Sequence, residues 1–261
     1  MQNRYVGDVG DFAKHGLLRY LSGETADDEG DRLRLGVIWY LSHDPREHNG
    51  DGRYIDYLKR TARDDKSEYI GCDPCLWEKL RDLVFADARC VHCAEEAELL
   101  PKDALYYSPL FYFPRDIKPA TRRSARAEWF AGAHKTMKDA QLVCVDPDNG
   151  LIPKSVGLHS ERGPKYTCLN DLKTLWDDNK SLVMYQQSVM DKKGHEMVRA
   201  KKTELKEGLG LDRDPIALWF SRGTARVFFV VPRPVHRKAI ETRIISMANT
   251  QWFKHRHFLQ V

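Results

Sequence analysis

Acidic residues follow two of the apolar runs of the chain at short spacing. The run QLVCV at 141–145 leads directly into DPDNG at 146–150, and the run LGVIWYL leads to Asp44 and Asp51. Carboxylates at the end of a buried strand are costly to desolvate, so they favour a chemical role such as acid–base catalysis. The alternative for DPDNG is an ordinary type I turn, since Asp, Pro, Asn and Gly all favour turns.

The opening of the chain carries a second group of chemically useful side chains. The stretch GDVGDFAKH at 7–15 contains two Gly-Asp pairs and ends in Lys14 and His15. Termini usually fray, so we expect a segment this rich in charged residues to be tied to the body of the protein. Where it meets the acidic strand ends, the chain gains a cluster of carboxylates with a lysine and a histidine, a composition that suits hydrolysis.

Composition and charge favour a single domain that binds a polyanion. With 261 residues and 42% hydrophobic residues, the chain is long enough for one large α/β core. No apolar run reaches the ~20 residues of a membrane span and no apolar signal region is found, so we expect a cytoplasmic protein that makes no membrane contact. The net charge is +4, yet residues 192–261 carry 15 Lys and Arg against 6 Asp and Glu. This basic third predicts a nucleic-acid surface, with solvated helix faces as the alternative.

Two cysteine pairs raise the question of a metal site. Cys72-x2-Cys75 and Cys90-x2-Cys93 have nearly the spacing of a four-cysteine zinc site. The segment between them has leucines at helical spacing and predicts an amphipathic helix. A helix of ~10–12 residues is ~15–18 Å long and would hold the pairs apart. We therefore predict no zinc site, and free thiols in a reducing cytosol.

Apolar runs alternate with helical patterns along the rest of the chain. This alternation predicts a Rossmann-like α/β fold with a mostly parallel sheet, helices on both faces, and a single domain over 1–261 with a small insertion at 60–125. We expect 33–41, 141–145 and 181–186 to be adjacent central strands. The last two strands are joined by a turn too short for a parallel crossover, so they should form an antiparallel edge pair. The predicted strands are 33–41, 104–111, 141–145, 181–186, 216–220 and 226–231, and the predicted helices are 11–21, 120–138, 191–207 and 234–247.

The order of these motifs resembles the J-type adenine methyltransferases of large-subunit ribosomal RNA, which have a class I methyltransferase fold. The Gly-Asn-x-x-Asp-x-x-Lys-His stretch that begins that family is similar to 7–15 here. Its Gly-Ala-Gly-Arg-Tyr turn corresponds to 50–54, and its catalytic Asp-Pro-Pro-Tyr corresponds to 146–149. A strand with Tyr185 near its end and a closing antiparallel strand complete the order. The resemblance implies S-adenosylmethionine as cofactor and a flipped base as substrate.

The chain departs from that family at both functional motifs. Asp148 and Asn149 stand where the family has the second proline and the tyrosine that stacks on the base. The sequence SHDPRE at 42–47 stands where a small glycine-rich loop admits the cofactor. Its extra acids do not suit a cofactor that itself bears a carboxylate. These departures predict a retained scaffold with changed chemistry.

We therefore predict an enzyme of the DNA glycosylase type. Such a hydrolase flips a base, which can be a modified one, out of DNA and cleaves its N-glycosidic bond without a cofactor or metal. A role in defence against foreign DNA fits this class. The alternatives are an S-adenosylmethionine-dependent adenine methyltransferase of DNA or RNA, a nuclease that holds Mg²⁺ on four aspartates, and a nucleic-acid binder without activity.

The candidate residues follow from these motifs. In the family that the chain resembles, the N-terminal segment caps the active site, and the resemblance implies that residues 7–15 here face the acidic strand ends. The aromatic residues Trp252, Phe253 and Phe258 have two interpretations, base stacking or core packing. The predicted catalytic residues are Asp8, Asp11, Lys14, Asp146, Asp148 and Asn149. The predicted substrate-binding residues are Asn3, Arg4, Tyr5, His15, Asp44, Asp51, Tyr185, Arg222 and Arg226.

Overall fold

A central sheet organises the part of the protein that the computed structural model describes, namely residues 1–25, 32–43, 50, 52–59, 68–188 and 191–261. Asp44, Asp51 and the other residues at 45–49 lie outside these residues. In chain order the strands of this sheet are β1 (Leu35–Trp39), β2 (Leu105–Tyr107), β3 (Leu142–Asp146), β6 (Ser181–Gln187), β7 (Ile216–Phe220), β8 (Arg226–Val231) and β9 (Phe258–Gln260). Two short strands, β4 (Gly150–Leu151) and β5 (Tyr166–Thr167), pair separately.

The order of the described strands is β2-β1-β3-β6-β8-β7-β9. The first four run parallel to one another, β8 is antiparallel to β6, and β7 and β9 alternate in direction after it. Five of the seven strands thus point the same way, so the predicted Rossmann-like, mostly parallel α/β sheet is confirmed. The central neighbours β1, β3 and β6 are also those predicted, because each is a nearly continuous apolar run, as a strand buried on both faces requires.

Helices cover both faces of the sheet. Alternate residues of each strand belong to two separate cores, so that Val37 and Trp39 face one core and Ile38 and Tyr40 face the other. The first core contains the helices between residues 9 and 96 together with those between 234 and 254, and the second contains the helices between 119 and 209. The described helices are α1 (Val9–Ser22), α2 (Pro74–Phe85), α3 (Val91–Glu96), α4 (Pro119–Thr136), α5 (Leu169–Asp177), α6 (Lys192–Leu209), α7 (Pro234–Ala248) and α8 (Gln251–Lys254).

The structure extends the predicted antiparallel edge of the sheet by one strand. The pair β7 and β8 is antiparallel as expected, β8 lies between β6 and β7, and β9 pairs with β7 on the outside. The three residues of β9 form too short an apolar run to be recognised in a charged C-terminal segment. Strand β2 is also shorter than predicted and ends at Tyr107, since prolines at 109 and 114 cannot donate to a ladder.

The C-terminal aromatic residues pack inside the protein. Trp252 and Phe258 are 1% and 0% exposed and belong to the same core as α1. The rings of Phe12 and Trp252 lie 4.8 Å apart. Of the two interpretations given above, core packing is therefore the correct one for Trp252 and Phe258.

The predicted helix between the cysteine pairs is present as α2, and the expectation of free thiols is wrong for one pair. Cys90 and Cys93 form a disulfide, while Cys72 and Cys75 remain thiols. Cys90 caps α3 and Cys93 lies one turn later, so their Cα atoms are only 5.1 Å apart, within the range that a disulfide spans.

No helix within the described residues is both long and apolar enough to cross a lipid bilayer.

The close packing of α1 against Trp252 yields a stability prediction. A Cβ atom placed on Gly16 would lie 2.2 Å from the Trp252 ring, which is buried and has no room to move. We expect Gly16→Ala to lower the free energy of unfolding by about 1–3 kcal/mol, because overpacking a core outweighs the gain of about 0.5–1 kcal/mol that alanine gives a helix. Chemical denaturation measures the change. Gly157→Ala, whose Cβ would contact only Ser160 at 3.8 Å, is the control, and equal effects of the two substitutions would contradict the packing argument.

Candidate active site

A cavity of about 430 Å³ lies where α1 meets the carboxyl ends of β3 and β6. Ligands of open α/β sheets commonly bind at these strand ends. Its volume is within the range of small-molecule sites. The residues that line it are Met1, Gln2, Arg4, Tyr5, Asp8, Gly10, Asp11, Lys14, Gly50, Gly52, Arg53, Tyr54, Asp146, Pro147, Asp148, Asn149, Lys165, Tyr185, Gln187, Thr224 and Arg226.

The acidic and basic residues of the inner wall come from α1 and β3. All residues of α1 are buried, including Asp11 and Lys14. Lys14 Nζ lies 2.9 Å from Asp11 Oδ1 and 3.0 Å from Asp146 Oδ2, and 4.5 Å from the centre of the Trp39 ring. A cation at this depth is stable only when paired, so Lys14 joins the first helix to the end of the central strand.

These ion pairs fix the charge state of the inner wall. Burial opposes the charge on Lys14, but Asp146 and Asp11 outweigh it and raise the pKa of the Lys14 ammonium. Burial likewise opposes the charge on Asp11, but His15 and Lys14 hold the pKa of the Asp11 carboxyl well below its usual range. The wall therefore carries an ionised carboxylate and a protonated amine at neutral pH.

Asp8 has the opposite character. Its carboxylate caps α1, accepting hydrogen bonds from the backbone amides of Gly10 at 2.9 Å and Tyr54 at 3.2 Å. Arg226 Nη1 is 3.7 Å from it. Burial raises the pKa of the Asp8 carboxyl and outweighs the lowering by Arg226 and the two amides. Asp8 is thus the lining carboxyl group with a raised affinity for a proton.

Asp148 anchors the N-terminal segment. The α-amino group of Met1 lies 2.6 Å from Asp148 Oδ1, and Gln2 and Ser42 donate hydrogen bonds to Oδ2 at 3.1 and 3.2 Å. Lys165 Nζ is 3.7 Å away. Burial opposes ionisation of Asp148, but the amino group of Met1 and the hydrogen bond from Gln2 outweigh it and lower its pKa. Through these contacts Asp148 holds the N-terminal segment against the wall of the cavity.

The structure brings most of the predicted site residues together. Asn149 lines the cavity and its backbone carbonyl accepts a hydrogen bond from Gln186 at 2.9 Å. The predicted residues that line one cavity are Asp8, Asp11, Lys14, Asp146, Asp148, Asn149, Arg4, Tyr5, Tyr185 and Arg226.

Three predicted residues lie away from the cavity lining. Asn3 accepts a hydrogen bond from the backbone amide of Val91, and His15 is 2% exposed with its Nδ1 2.9 Å from the Asp11 carbonyl oxygen. Arg222 donates to the His255 carbonyl at 2.6 Å and pairs with Glu68. Substrate binding by these three residues stays a prediction, and Asp44 and Asp51 lie outside the described residues.

Several lining residues were missed by sequence reasoning. Arg53 and Tyr54 belong to the turn at 50–54 that resembles the Gly-Ala-Gly-Arg-Tyr turn of the J-type methyltransferases, so the motif itself was their signal. Gln2, Lys165, Gln187 and Thr224 carry no local signal, because they reach the cavity only through long-range packing.

The lining carboxylates do not fit a magnesium centre. Mg²⁺ binds carboxylates and water in a regular octahedron, but the Lys14 ammonium already lies between Asp11 and Asp146. Asp8 and Asp148 likewise have cationic groups within 4 Å. Among the described residues no group of three or more His, Cys, Asp or Glu side chains is arranged to hold a metal ion.

The ion pairs of Lys14 yield a stability prediction. We expect Lys14→Gln to lower the free energy of unfolding by about 3–5 kcal/mol, because it leaves buried carboxylates unpaired. Asp11 has a lowered folded-state pKa, so its stabilisation is present above its unfolded pKa and is lost as the pH falls. The difference between the two proteins should therefore narrow at acidic pH.

Denaturation across a pH series measures this effect. Lys173→Gln, which removes an exposed lysine paired with Asp177 at 3.0 Å, is the matched control and should change stability by less than about 1 kcal/mol. A loss for Lys14→Gln that stays constant from neutral to acidic pH would contradict the assignment.

Comparison of the chain with protein-family models and with curated protein sequences gives no match. The resemblance to the J-type methyltransferases therefore stays a prediction based on the motifs alone.

Proposed function

We propose that the protein is a nucleic-acid hydrolase of the N-glycosylase type and that the cavity is its active site. The observation that carries this proposal is the pair of opposite carboxyl environments in one lining. Asp8 holds a proton more readily than a free aspartate, while Asp11 is held ionised. Carboxyl groups whose pKa values are pushed apart are typical of general acid–base chemistry.

The proposed reaction divides these roles. Protonated Asp8 donates its proton to the leaving base while the bond from C1′ of the sugar to the base nitrogen breaks. The carboxylate of Asp146, paired with Lys14, stabilises the positive charge that develops on the sugar. Water adds to C1′ and gives its proton to a carboxylate, which leaves a free base and a sugar hydroxyl.

Lys14 acts in this proposal as a positioning cation. Nucleophilic catalysis needs a neutral amine, whereas the two aspartates raise the pKa of Lys14. The proposal therefore needs water, not the lysine, as the group that attacks the sugar.

The size of the cavity supports a single nucleotide as the reacting unit. A volume of about 430 Å³ does not admit a base pair with its two backbones. A base in DNA would have to leave the stack to reach Asp8, as base-acting enzymes require. DNA as the partner and a role in defence remain predictions from the sequence.

An S-adenosylmethionine-dependent methyltransferase is the second candidate. The observation in its favour is the position of the DPDN turn at 146–149, which follows β3 and lines the cavity. This is the place of the catalytic turn that the resemblance implies. Asp148, however, is engaged with Met1 and Gln2, and the turn at 146–149 itself lacks the aromatic residue that the resemblance implies for stacking the base.

The hydrolase proposal predicts specific effects of neutral substitutions. Asp8→Asn and Asp146→Asn should each lower the rate of base release about 10²–10⁴-fold, the usual contribution of an acid–base group. Because Asp8 must be protonated, the wild-type rate should fall as the pH rises through its raised pKa, and Asp8→Asn should lose that limb. Mass spectrometry of bases released from DNA and RNA with normal and modified bases provides the measurement.

The control is Asp177→Asn, an exposed aspartate on α5, which should leave the rate unchanged. Methyl transfer from S-adenosylmethionine to the nucleic acid, with no free base, would refute the hydrolase and support the second candidate. Strand nicking that stops on addition of a chelator would refute both.

A further inference from the structure

Arg226 reaches the cavity through a gap that the sequence of α1 leaves for it. A Cβ atom on Gly10 would lie 0.8 Å from Arg226 Nη1 and 1.8 Å from its Cζ. Any residue other than glycine at position 10 would displace the guanidinium. Gly10 of the second Gly-Asp pair therefore leaves the space in which the Arg226 side chain crosses the start of α1.

The guanidinium is held in place but is far from satisfied. Arg226 is 7% exposed, its Nη2 donates to the Thr224 hydroxyl, and its plane lies over the Phe220 ring with Cζ 5.7 Å from the ring centre. Asp8 is 3.7 Å from Nη1, too far for a hydrogen bond. Within the described residues Nε has no hydrogen-bond partner at all. A guanidinium carries five donors, so this one retains capacity for an acceptor.

The surroundings of Arg226 favour an anion at the outer end of the cavity. Thr224 and Gln187 are exposed beside it and offer neutral donors, while Arg53 and Lys165 are exposed lining residues with positive charge. The carboxylates Asp11 and Asp146 lie deeper, and both contact the Lys14 ammonium. An anion with several acceptor oxygens suits an arginine fork better than a single carbonyl group does.

We infer that Arg226 and Thr224 form a subsite for one phosphate group of the substrate, so that the enzyme acts on nucleotides and not on free nucleosides. This inference rests on the proposed function, because it places the phosphate beside the nucleoside that reacts at the inner wall. The phosphate belongs to a mononucleotide or to a nucleic-acid strand, which present the same chemistry to the arginine.

Binding measurements test the subsite without any need for catalysis. Isothermal titration calorimetry with the four nucleoside 5′-monophosphates, the four nucleosides, inorganic phosphate and a single-stranded hexadeoxynucleotide separates the contributions of phosphate and strand. We expect each monophosphate to bind at least ~10-fold more tightly than its nucleoside, about 1.4 kcal/mol. Arg226→Gln should abolish that preference, and Arg226→Lys should restore only part of it. Equal binding of monophosphates and nucleosides by the wild type, together with hexadeoxynucleotide binding that Arg226→Gln leaves unchanged, would overturn the inference.

Controls separate the subsite from folding and from general charge. Thr224→Val changes an exposed side chain and should lower the phosphate preference about 3- to 10-fold. Its thermal unfolding midpoint should stay unchanged, so this variant tests the subsite even if Arg226→Gln is unstable. Arg115→Gln removes the same charge from a residue that is 92% exposed and paired with Glu161, and it should preserve the preference. Equal losses in Arg226→Gln and Arg115→Gln would refute a defined subsite.

The same experiment distinguishes the subsite from the proposed function. Phosphate preference that Arg226→Gln abolishes, in a protein that releases no base, would uphold the subsite and refute the hydrolase. Base release that is equally fast from nucleosides and nucleotides would uphold the hydrolase and refute the subsite. Binding of the hexadeoxynucleotide but not of monophosphates would assign the phosphate to a strand, and the reverse would assign it to free nucleotides.

Discussion

The buried ion pairs of Lys14 are the interaction on which the site depends. They connect Asp11 on the first helix with Asp146 at the end of β3, two residues that are 135 positions apart in the sequence. A buried cation without both partners would destabilise the fold. The docking of α1 and the shape of the inner wall of the cavity therefore depend on the same three side chains.

The N-terminal helix can occupy this central position because of its small residues. Gly10 admits the Arg226 guanidinium and Gly16 admits the Trp252 ring, so α1 is covered by β8 on one side and by α8 on another. Each glycine gives up some helix propensity. In return the helix brings Lys14 into contact with Asp146 of β3, and its N-cap Asp8 to within 3.7 Å of Arg226 of β8. A helix with larger residues at positions 10 and 16 would be too thick to pack this closely.

The sequence was sufficient for the parts of the structure that depend on local patterns. The apolar runs of β1, β3 and β6 identified the centre of the sheet, and the Asp, Lys and Gly residues of the opening motif and of the DPDNG turn identified most of the inner wall. It was insufficient where a feature depends on distant partners. Nothing near Lys165 or Thr224 indicates that these residues line the cavity, and Arg222 and Arg226 are alike in sequence although only Arg226 faces a glycine. The edge strand β9 was missed because three residues in a charged segment give no periodicity.

Asp8 and Arg226 link the two ends of the cavity. The charged or titratable groups that interact with Asp8 are Arg226 on β8, Asp11 on α1 and Tyr57. The backbone amide of Tyr54 also donates a hydrogen bond to Asp8. Burial raises the pKa of Asp8, and Arg226 is the strongest opposing influence. A phosphate on Arg226 would neutralise that influence, so the pKa of Asp8 would rise further when a nucleotide is bound. Under the proposed function, the acid would then hold its proton most firmly when a complete substrate occupies the site. With no phosphate bound, Arg226 would keep the pKa of Asp8 lower. Recognition of the phosphate would thereby be coupled to the chemistry at the base.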